Sequence, residues 1–364
     1  MVKPTTPRKA APRHSEVSIN SARDFELAIN GYAIFQALYA AAKLGIFSYL
    51  SENPNSTPKK IERALGLSSH PLRILLLSCC SINLLSRDEK KGTYQNSPMA
   101  ELRLSKHSPR NMLQVLEAYH SIIYRPMYHL TGSIRNSKNE GLNEYPGSGK
   151  TLYERLIRHP RLETTFHQWM NDIATSSGIR DRLVPIILPI LSRVTHVLDV
   201  GGGDGGNAMN LCKLNPALKV TIFDLPSICR KAKSNVKKNG LSDRIDFHSG
   251  NFLKDKFPTG VDAVYFSHIT NIYSPEKNIS LFKKSYKALS PGGALIIFGS
   301  ISNDDETGSV SAAHLSLYFL CLATGEGMVY PLKEYKTWLK KSGFRKITLL
   351  PLDNGSRAFI IGIK

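Results

Sequence analysis

The sequence lacks any hydrophobic run near the ~20 residues that a membrane-spanning helix needs. It also lacks an apolar leader, because the opening stretch, MVKPTTPRKAAPRHSE, is rich in proline and basic side chains. The five cysteines form no C-x-x-C pair, and an odd, scattered set is typical of reduced thiols. No group of His, Asp, Glu or Cys has metal-ligand spacing. We therefore expect a cytoplasmic protein without a catalytic metal.

Acidic residues are scarce relative to basic ones, and the formal net charge is +19. The excess is spread evenly: residues 1–190 carry 25 Lys and Arg against 15 Asp and Glu, and residues 191–364 carry 23 against 14. A diffuse excess favours solubility and general attraction to anions, without marking a face that reads nucleic acid. The charge alone thus does not predict a specific nucleic-acid partner.

The chain divides into three parts by composition. Residues 1–20 are predicted to be a disordered basic arm, and residues 21–190 follow a helical pattern. Within this pattern, two short helices and a GTYQNS strand give a winged-helix order. The second helix, HPLRILLLSCCSINLL, offers one Arg where DNA recognition needs several exposed polar side chains, so we expect it to be buried. Dimerisation or core packing is the favoured use, and DNA binding is the weaker alternative.

Residues 191–364 change to alternating strands and helices, which is typical of a parallel α/β sheet. The predicted strands are 194–200, 219–224, 244–248, 261–267 and 294–300, and the predicted helices are 206–214, 226–239 and 277–289. The tail, KITLLPLDNGSRAFIIGIK, reads as two further strands joined by a turn. The fold class is therefore α/β: a C-terminal Rossmann-like, seven-stranded sheet behind an N-terminal, mainly α winged-helix domain.

A glycine-rich segment, VLDVGGGDGGNA, connects the first strand of the sheet to a helix. Glycines let a backbone approach a ligand closely, and the helix N-terminus favours anionic groups. The spacing fits both the G-x-G-x-x-G of dinucleotide enzymes and the G-x-G-x-G of S-adenosylmethionine enzymes. Asp224 ends the next strand, where either ligand presents ribose hydroxyls. The motif alone leaves both cofactors open.

Further motifs occur in the order typical of one family: LDVGGGDG, FDLPSI, SGNF, YKALSPGG and ATGEGMVYPLKEYKTWLKKSGF. With them the sequence resembles the class I small-molecule O-methyltransferases, the plant and bacterial type with an N-terminal dimerisation domain, over about residues 21–364. The resemblance implies S-adenosylmethionine as cofactor, a homodimer and a small-molecule acceptor. The acceptor implied is small and phenolic, of the secondary-metabolite type, with oxygen as the expected methyl acceptor.

The resemblance also implies the cofactor contacts. Gly201 and Gly203 would face the methionine part, and Asp224 would accept hydrogen bonds from both ribose hydroxyls. Adenine would lie between Phe252 and Leu225. The remaining two positions depart from the family: Asn251 replaces an acidic residue, and Ser267 stands where a Lys often contacts the cofactor.

The same resemblance places a His base in an LHDW-like stretch after the fourth strand, and here that position is Asn271. An amide cannot take a proton, so three alternatives are open. The acceptor ionises without a base; His268 or His314 replaces the base; or the protein methylates carbon in an aromatic amino acid or keto acid, or binds the cofactor without transferring its methyl.

The acceptor pocket is expected between the helical part and the carboxyl ends of the strands. Its candidate lining residues come from two helical stretches: Phe166, Trp169, Met170, His314, Tyr318 and Phe319.

Overall fold

The structure is a computed structural model that describes residues 19–175, 187, 189–352 and 355–364. The predicted basic arm lies almost entirely outside the described residues. The predicted boundary between the two larger domains falls just after an undescribed stretch, so the division at residue 190 stays a prediction.

Short helices build the N-terminal part. The first begins at a capping box, in which the Ser21 hydroxyl accepts from the Asp24 N–H and the Asp24 carboxylate accepts from the Ser21 N–H. The elements are α1 Ala22–Ile29, α2 Gly31–Lys43, α3 Ile46–Glu52, α4 Pro58–Leu65, α5 Ser69–Ser81, β1 Leu85–Asp88, β2 Thr93–Asn96 and α6 Pro98–Leu104.

The winged-helix order is present: α4 and α5 are followed by an antiparallel hairpin of β1 and β2. The expectation that α5 would be buried needs a correction, because only one face is. Leu72 and Leu76 are buried, whereas Ile74 and Leu77 are 53% and 68% exposed. The exposed face thus carries two large apolar side chains and a single Arg, Arg73, which suits a protein partner better than the base edges of DNA.

A second helical segment connects this part to the sheet. It comprises α7 Leu113–Ala118, a π-helical turn Tyr119–Ile123, a 3-10 turn Pro126–His129, α8 Leu130–Asn136, a 3-10 turn Glu140–Glu144, α9 Leu152–Leu156 and α10 Pro160–Thr175. Its buried side chains share one hydrophobic core with the sheet, for example Ile122 and Trp169 with Val200 and Phe266. The helical segment therefore forms a wall over one face of the sheet.

The C-terminal sheet has seven strands in the order β5-β4-β3-β6-β7-β9-β8, all parallel except β9, which runs antiparallel to both of its neighbours. The strands are β3 His196–Val200, β4 Lys219–Asp224, β5 Ile245–Ser249, β6 Val261–Ser267, β7 Leu289–Ser300, β8 Lys346–Leu352 and β9 Arg357–Ile363. The helices are α11 Gly206–Leu214, α12 Pro226–Lys238, α13 Pro275–Ala288, α14 Val310–Tyr318 and α15 Leu332–Lys341, and a π-helical turn, Phe319–Ala323, follows α14. The predicted fold class is confirmed.

The strand order reverses between β3 and β6, since β4 lies on one side of β3 and β6 on the other. The connections after these strands leave in opposite directions and open a crevice at their carboxyl ends. The glycine loop after β3, Asp224 at the end of β4 and His268 after β6 therefore meet at one edge of the sheet.

Within the described part of the chain, no single helix is long and apolar enough to cross a membrane. The two helices Gly31–Lys43 and Ile46–Glu52, taken together, have the length and apolar composition of a membrane span, but the chain bends by 51° between them.

Candidate active site

The loop after β3 depends on its glycines. Gly201 and Gly203 have φ of 71° and 58°, in the left-handed region that side chains with a Cβ seldom adopt. A Cβ on Gly201 would lie 2.5 Å from Ile269 Cδ1, so a side chain there would also have to displace the tip of Ile269. A Cβ on Gly203 would meet nothing within 4 Å. The loop thus presents bare backbone to the crevice.

Asp224 holds this loop from the neighbouring strand. One carboxylate oxygen accepts the Gly203 N–H at 3.0 Å, and the other accepts the Leu225 N–H at 2.7 Å. Burial raises the pKa of Asp224, and the two backbone hydrogen bonds oppose that effect. The carboxylate is 9% exposed and lines the cavity, so its remaining lone pairs are available to a ligand.

Asp199, on β3 just before the glycines, is a site residue that the sequence reasoning missed. Neither of its carboxylate oxygens has a hydrogen-bond partner, and the residue is 1% exposed. Burial and the nearby Asp224 carboxylate raise its pKa to about 7. A buried, unpartnered carboxyl beside a second one favours a cationic ligand. S-adenosylmethionine carries a sulfonium and an ammonium, so an acidic site fits that cofactor; Asp224 lines the cavity, whereas Asp199 lies buried behind it.

The predicted adenine contacts gather on the other side of Asp224. Phe252 lies edge-on to Phe223 and Tyr273, with ring centroids 6.4 and 6.0 Å apart. Asn251 Oδ1 accepts the Leu253 N–H at 3.0 Å, which leaves one lone pair for a ligand amino group. These contacts hold the segment in a fixed conformation.

Most of the site residues predicted from the sequence line one cavity of about 730 Å³. All the predicted cofactor contacts line it: Gly201, Gly203, Asp224, Leu225, Asn251, Phe252 and Ser267. So do His268, Asn271 and five of the six predicted acceptor contacts: Phe166, Trp169, Met170, Tyr318 and Phe319. The sixth, His314, is exposed on α14 and is not among the lining residues. This placement does not support His314 as a substitute base.

Helix α10 supplies side chains to the acceptor side of the cavity. Phe166, Trp169 and Met170 follow the i, i+3, i+4 spacing that places side chains on one helix face. Glu163 on the same helix is 5% exposed and forms an ion pair with Lys231 of α12. Because α12 belongs to the cofactor side, this pair fixes the acceptor wall relative to the cofactor wall.

His268 lies directly after β6 with φ of 57°, in the left-handed region. Its ring packs edge-on to Phe298 with centroids 5.0 Å apart. Burial, and secondarily the positive charge of Arg357, lower its pKa to about 4. An imidazole with so low a pKa is neutral at pH 7 but is a weak base toward a phenol. The environment favours the alternative in which His268 is a packing residue.

Replacing His268 by Asn, which tolerates a left-handed backbone, is expected to flatten the acid dependence of stability. The folded imidazole takes its proton near pH 4, whereas the unfolded one takes it near 6.5. This stabilisation is therefore complete above pH 6.5 and is lost as pH falls toward 4. Between pH 7 and 4.5 the wild type should lose about 2–3 kcal/mol more than His268→Asn, measured by urea unfolding. Equal losses in both proteins would contradict the assignment.

Asn271 occupies the position of the expected base and is 2% exposed. Its amide nitrogen lies 3.0 Å from the Ser300 carbonyl oxygen and 3.3 Å from the Met328 carbonyl oxygen. The Tyr335 hydroxyl lies 3.3 Å from the same nitrogen. Both N–H groups are thus used inside the protein, so the amide connects the end of β7 to the segment that follows α14.

Among the described residues, no group of three or more His, Cys, Asp and Glu side chains is placed to hold a metal ion. The sheet order, the glycine loop, and the Asp224 carboxylate that lines the crevice define an S-adenosylmethionine-dependent methyltransferase.

Comparison with known proteins identifies the family. The family model of the O-methyltransferase domain matches residues 127–345, more than half of the chain, and that of the O-methyltransferase dimerisation domain matches residues 27–106. The chain therefore belongs to the O-methyltransferase family with a dimerisation domain. The sequence is 34% identical to the L-tyrosine C(3)-methyltransferase of Streptomyces lavendulae, over 89% of this chain and 87% of that protein. It is 29% identical to the acetylserotonin O-methyltransferase of Gallus gallus, over 87% and 90%.

Solved structures agree with this assignment. The S-adenosylmethionine-dependent methyltransferase SibL, in its apo form, matches with a TM-score of 0.77 and 30% identity, over 94% of this chain and 99% of that one. Human N-acetylserotonin methyltransferase, in complex with S-adenosylmethionine, matches with a TM-score of 0.79 and 25% identity, over 96% and 99%. The predicted enzyme class and cofactor are confirmed.

Proposed function

We propose that this enzyme methylates a small phenolic acceptor, and that the methyl is received by the ring carbon next to the phenol hydroxyl. The observation that carries this proposal is the state of Asn271. The residue at the family's base position is an amide whose N–H groups are bonded to the Ser300 and Met328 carbonyls. It neither accepts a proton nor has a free N–H for an acceptor hydroxyl.

In oxygen methylation, a general base acts beside the atom that receives the methyl, because the attacking oxygen is the one that loses its proton. In carbon methylation these two atoms differ. The ring carbon attacks the methyl, while the hydroxyl that must ionise lies two bonds away. The absence of a base at position 271 therefore suits carbon as the nucleophile, because the ring carbon loses its own proton only after the methyl is transferred.

The cofactor-side residues have defined tasks in this proposal. When bound, S-adenosylmethionine supplies an electrophilic methyl on a sulfonium. Asp224 would hold the ribose hydroxyls, and the backbone of Gly201 and Gly203 would border the methionine part. The ring carbon would take the methyl while the carbon–sulfur bond breaks, which would release neutral S-adenosylhomocysteine. The same ring carbon would then give its proton to water, which would restore the aromatic ring.

The relatives support both possible nucleophiles. Carbon is supported by the printed activity of the 34% identical relative, an L-tyrosine C(3)-methyltransferase. Oxygen, the expectation drawn from the family resemblance, is supported by the 28% identical 3-hydroxy-5-methyl-1-naphthoate 3-O-methyltransferase of Streptomyces sahachiroi. Oxygen methylation of a phenol is accordingly the second candidate.

Methyl-labelled cofactor distinguishes these functions. The enzyme is incubated with carbon-13-methyl S-adenosylmethionine and a panel containing L-tyrosine and simple phenols, and the product is examined by NMR. A methyl attached to a ring carbon supports the proposal, and a methoxy group supports the second candidate. Cofactor binding without transfer to any member of the panel would contradict both and favour a non-methylating enzyme.

We propose further that the enzyme is a homodimer that meets through α1 and α2. In one chain α1 buries no residue, and Phe25, Ile29 and Tyr32 are 57%, 56% and 66% exposed. An apolar surface of this extent favours a protein interface. The match to a dimerisation domain from residue 27 supports a second copy as the partner, and a twofold axis would pair the same helices.

Phe25→Glu is expected to shift the dimer toward monomer, because it places a charge on the apolar face of α1. Light scattering at micromolar concentration measures the mass. Phe25→Leu keeps the face apolar and should remain dimeric. A wild-type mass equal to one chain, or a dimer that survives Phe25→Glu unchanged, would contradict the proposed interface.

A cytoplasmic location is also proposed. It is supported by the state of the cysteines, all five of which are free thiols in the structure. Redox-dependent labelling of these thiols in extracts of the source cells tests it.

A further inference from the structure

The predicted adenine contacts, Asn251 and Phe252, belong to one tight turn, residues 251–255. The Asp255 N–H donates to the Asn251 carbonyl at 2.7 Å, which closes a single helical turn that does not continue. The Asp255 carboxylate accepts the Asn251 N–H, also at 2.7 Å. A turn of this kind leaves the carbonyls at its far end without partners of its own, because no further helical N–H follows. The 251–255 turn therefore needs donors from another part of the chain.

Lys284 on α13 supplies these donors. Its ammonium lies 3.0 Å from the Phe252 carbonyl oxygen and 2.9 Å from the carbonyl oxygens of Leu253 and Asp255. An ammonium has three N–H groups and accepts nothing, so three carbonyls match its full capacity. A charged donor also forms stronger hydrogen bonds than a neutral one. Lys284 thus anchors the 251–255 turn to a helix that packs on the sheet.

The aromatic side of the turn is connected to the same lysine. The Lys284 ammonium lies 5.8 Å from the centroid of the Phe257 ring, within the range of a cation–π contact. Phe257 packs edge-on to Phe223, and Phe223 packs edge-on to Phe252, with ring centroids 5.6 and 6.4 Å apart. Phe223 and Phe257 are buried. Both the backbone and the ring of Phe252 are therefore linked to Lys284.

We propose that Lys284 is a positioning residue for the adenine end of the cofactor site. It fixes the 251–255 turn so that the Phe252 ring and the Asn251 amide meet the purine together. Asn251 and Phe252 line the cavity and Lys284 does not, so Lys284 acts through the turn. Without its ammonium, binding would include the entropic cost of ordering the turn. The role concerns the cofactor and is independent of whether carbon or oxygen of the acceptor receives the methyl.

Lys284→Met tests this role, because methionine keeps much of the apolar stem and removes every donor. We expect S-adenosylhomocysteine to bind about tenfold more weakly than to the wild type, measured by isothermal titration calorimetry. Lys283→Met is the matched control, since Lys283 is the neighbouring residue of α13 and is exposed. It removes the same charge and should stay within about twofold of the wild type.

A second ligand locates the effect within the site. The ligand 5′-methylthioadenosine keeps the adenosine of S-adenosylhomocysteine and lacks its amino-acid tail. Lys284→Met should weaken the two ligands by the same factor, because both present adenine to the 251–255 turn. A loss that is larger for S-adenosylhomocysteine would place the effect at the methionine end, beside the glycine loop, and would overturn the proposal.

Lys284→Gln separates positioning from general stability. Glutamine keeps two N–H donors without the charge, so we expect a smaller loss of S-adenosylhomocysteine affinity, about threefold, with both ligands again affected equally. Circular dichroism and urea unfolding establish which variants are folded at the assay temperature, and Lys284→Gln decides the outcome if Lys284→Met is unfolded. Wild-type affinity for both ligands in every folded variant, even with a lower urea midpoint, would show that Lys284 only stabilises the fold and would overturn the proposal.

Discussion

Alanine in place of Asp224 is expected to weaken S-adenosylmethionine binding by at least about 100-fold. Two effects combine. The variant loses the carboxylate that would accept charge-assisted hydrogen bonds from the ribose, each of which contributes about 1.5–3 kcal/mol. It also releases the Gly203 and Leu225 N–H groups, which the carboxylate now fixes at 3.0 and 2.7 Å. Isothermal titration calorimetry with S-adenosylmethionine and S-adenosylhomocysteine measures the change.

Asp246→Ala is the control for this experiment. Asp246 lies on the adjacent strand β5 but is exposed, so its removal changes the net charge equally and leaves the cavity intact. Its affinity for the cofactor should stay within about twofold of the wild type. An Asp224→Ala enzyme that binds the cofactor as tightly as this control would remove Asp224 from the site.

The second large effect is expected for Asn271→Ala, and it concerns stability. The substitution leaves the part-buried carbonyl oxygens of Ser300 and Met328 without the donor that lies 3.0 and 3.3 Å away. Each unsatisfied carbonyl costs about 1–3 kcal/mol, so the free energy of unfolding should fall by about 2–4 kcal/mol. Urea denaturation at pH 7 measures the loss as a lower midpoint with an unchanged slope.

This expectation separates two roles for the same amide. If Asn271 chiefly oriented the acceptor, alanine would raise the KM for the acceptor and leave the midpoint unchanged. Asn303→Ala supplies the comparison, because that asparagine is exposed and should change neither quantity. A normal midpoint with a raised KM would show that the amide serves the acceptor after all, and would weaken the argument for carbon methylation.

Regular elements with a strong local pattern were predicted well. The strands 219–224 and 261–267 and the helix 206–214 have the predicted bounds. Strand β7 begins at Leu289, five residues before its predicted start, because Leu289 pairs with Val261 across a register shift. Strand β1 was missed, since LSRD has little pattern of its own and is a strand by virtue of its pairing with β2. Helix α15 was also not among the helices predicted from the sequence.

The cofactor side of the site was accessible from sequence for a related reason. Glycines that need positive φ and an acid at the end of the next strand form a local pattern, and parallel strands bring their carboxyl ends together by topology. Asp199 had no such signal. In the sequence Asp199 is one residue of a predicted strand with apolar neighbours. Only the folded structure shows that its carboxylate oxygens have no hydrogen-bond partners.

The sequence by itself determined the fold class, because strand and helix patterns are local. The order of several motifs, and the family resemblance that this order carries, indicated the cofactor and the presence of Asn271 at the position of the family's base. The tertiary structure alone decided that the Asn271 amide is occupied by two carbonyls, that His268 is a weak base, and that His314 is exposed and does not line the cavity. Proton affinity and hydrogen-bond capacity depend on burial and on neighbours distant in the chain, and these are properties of the packed molecule.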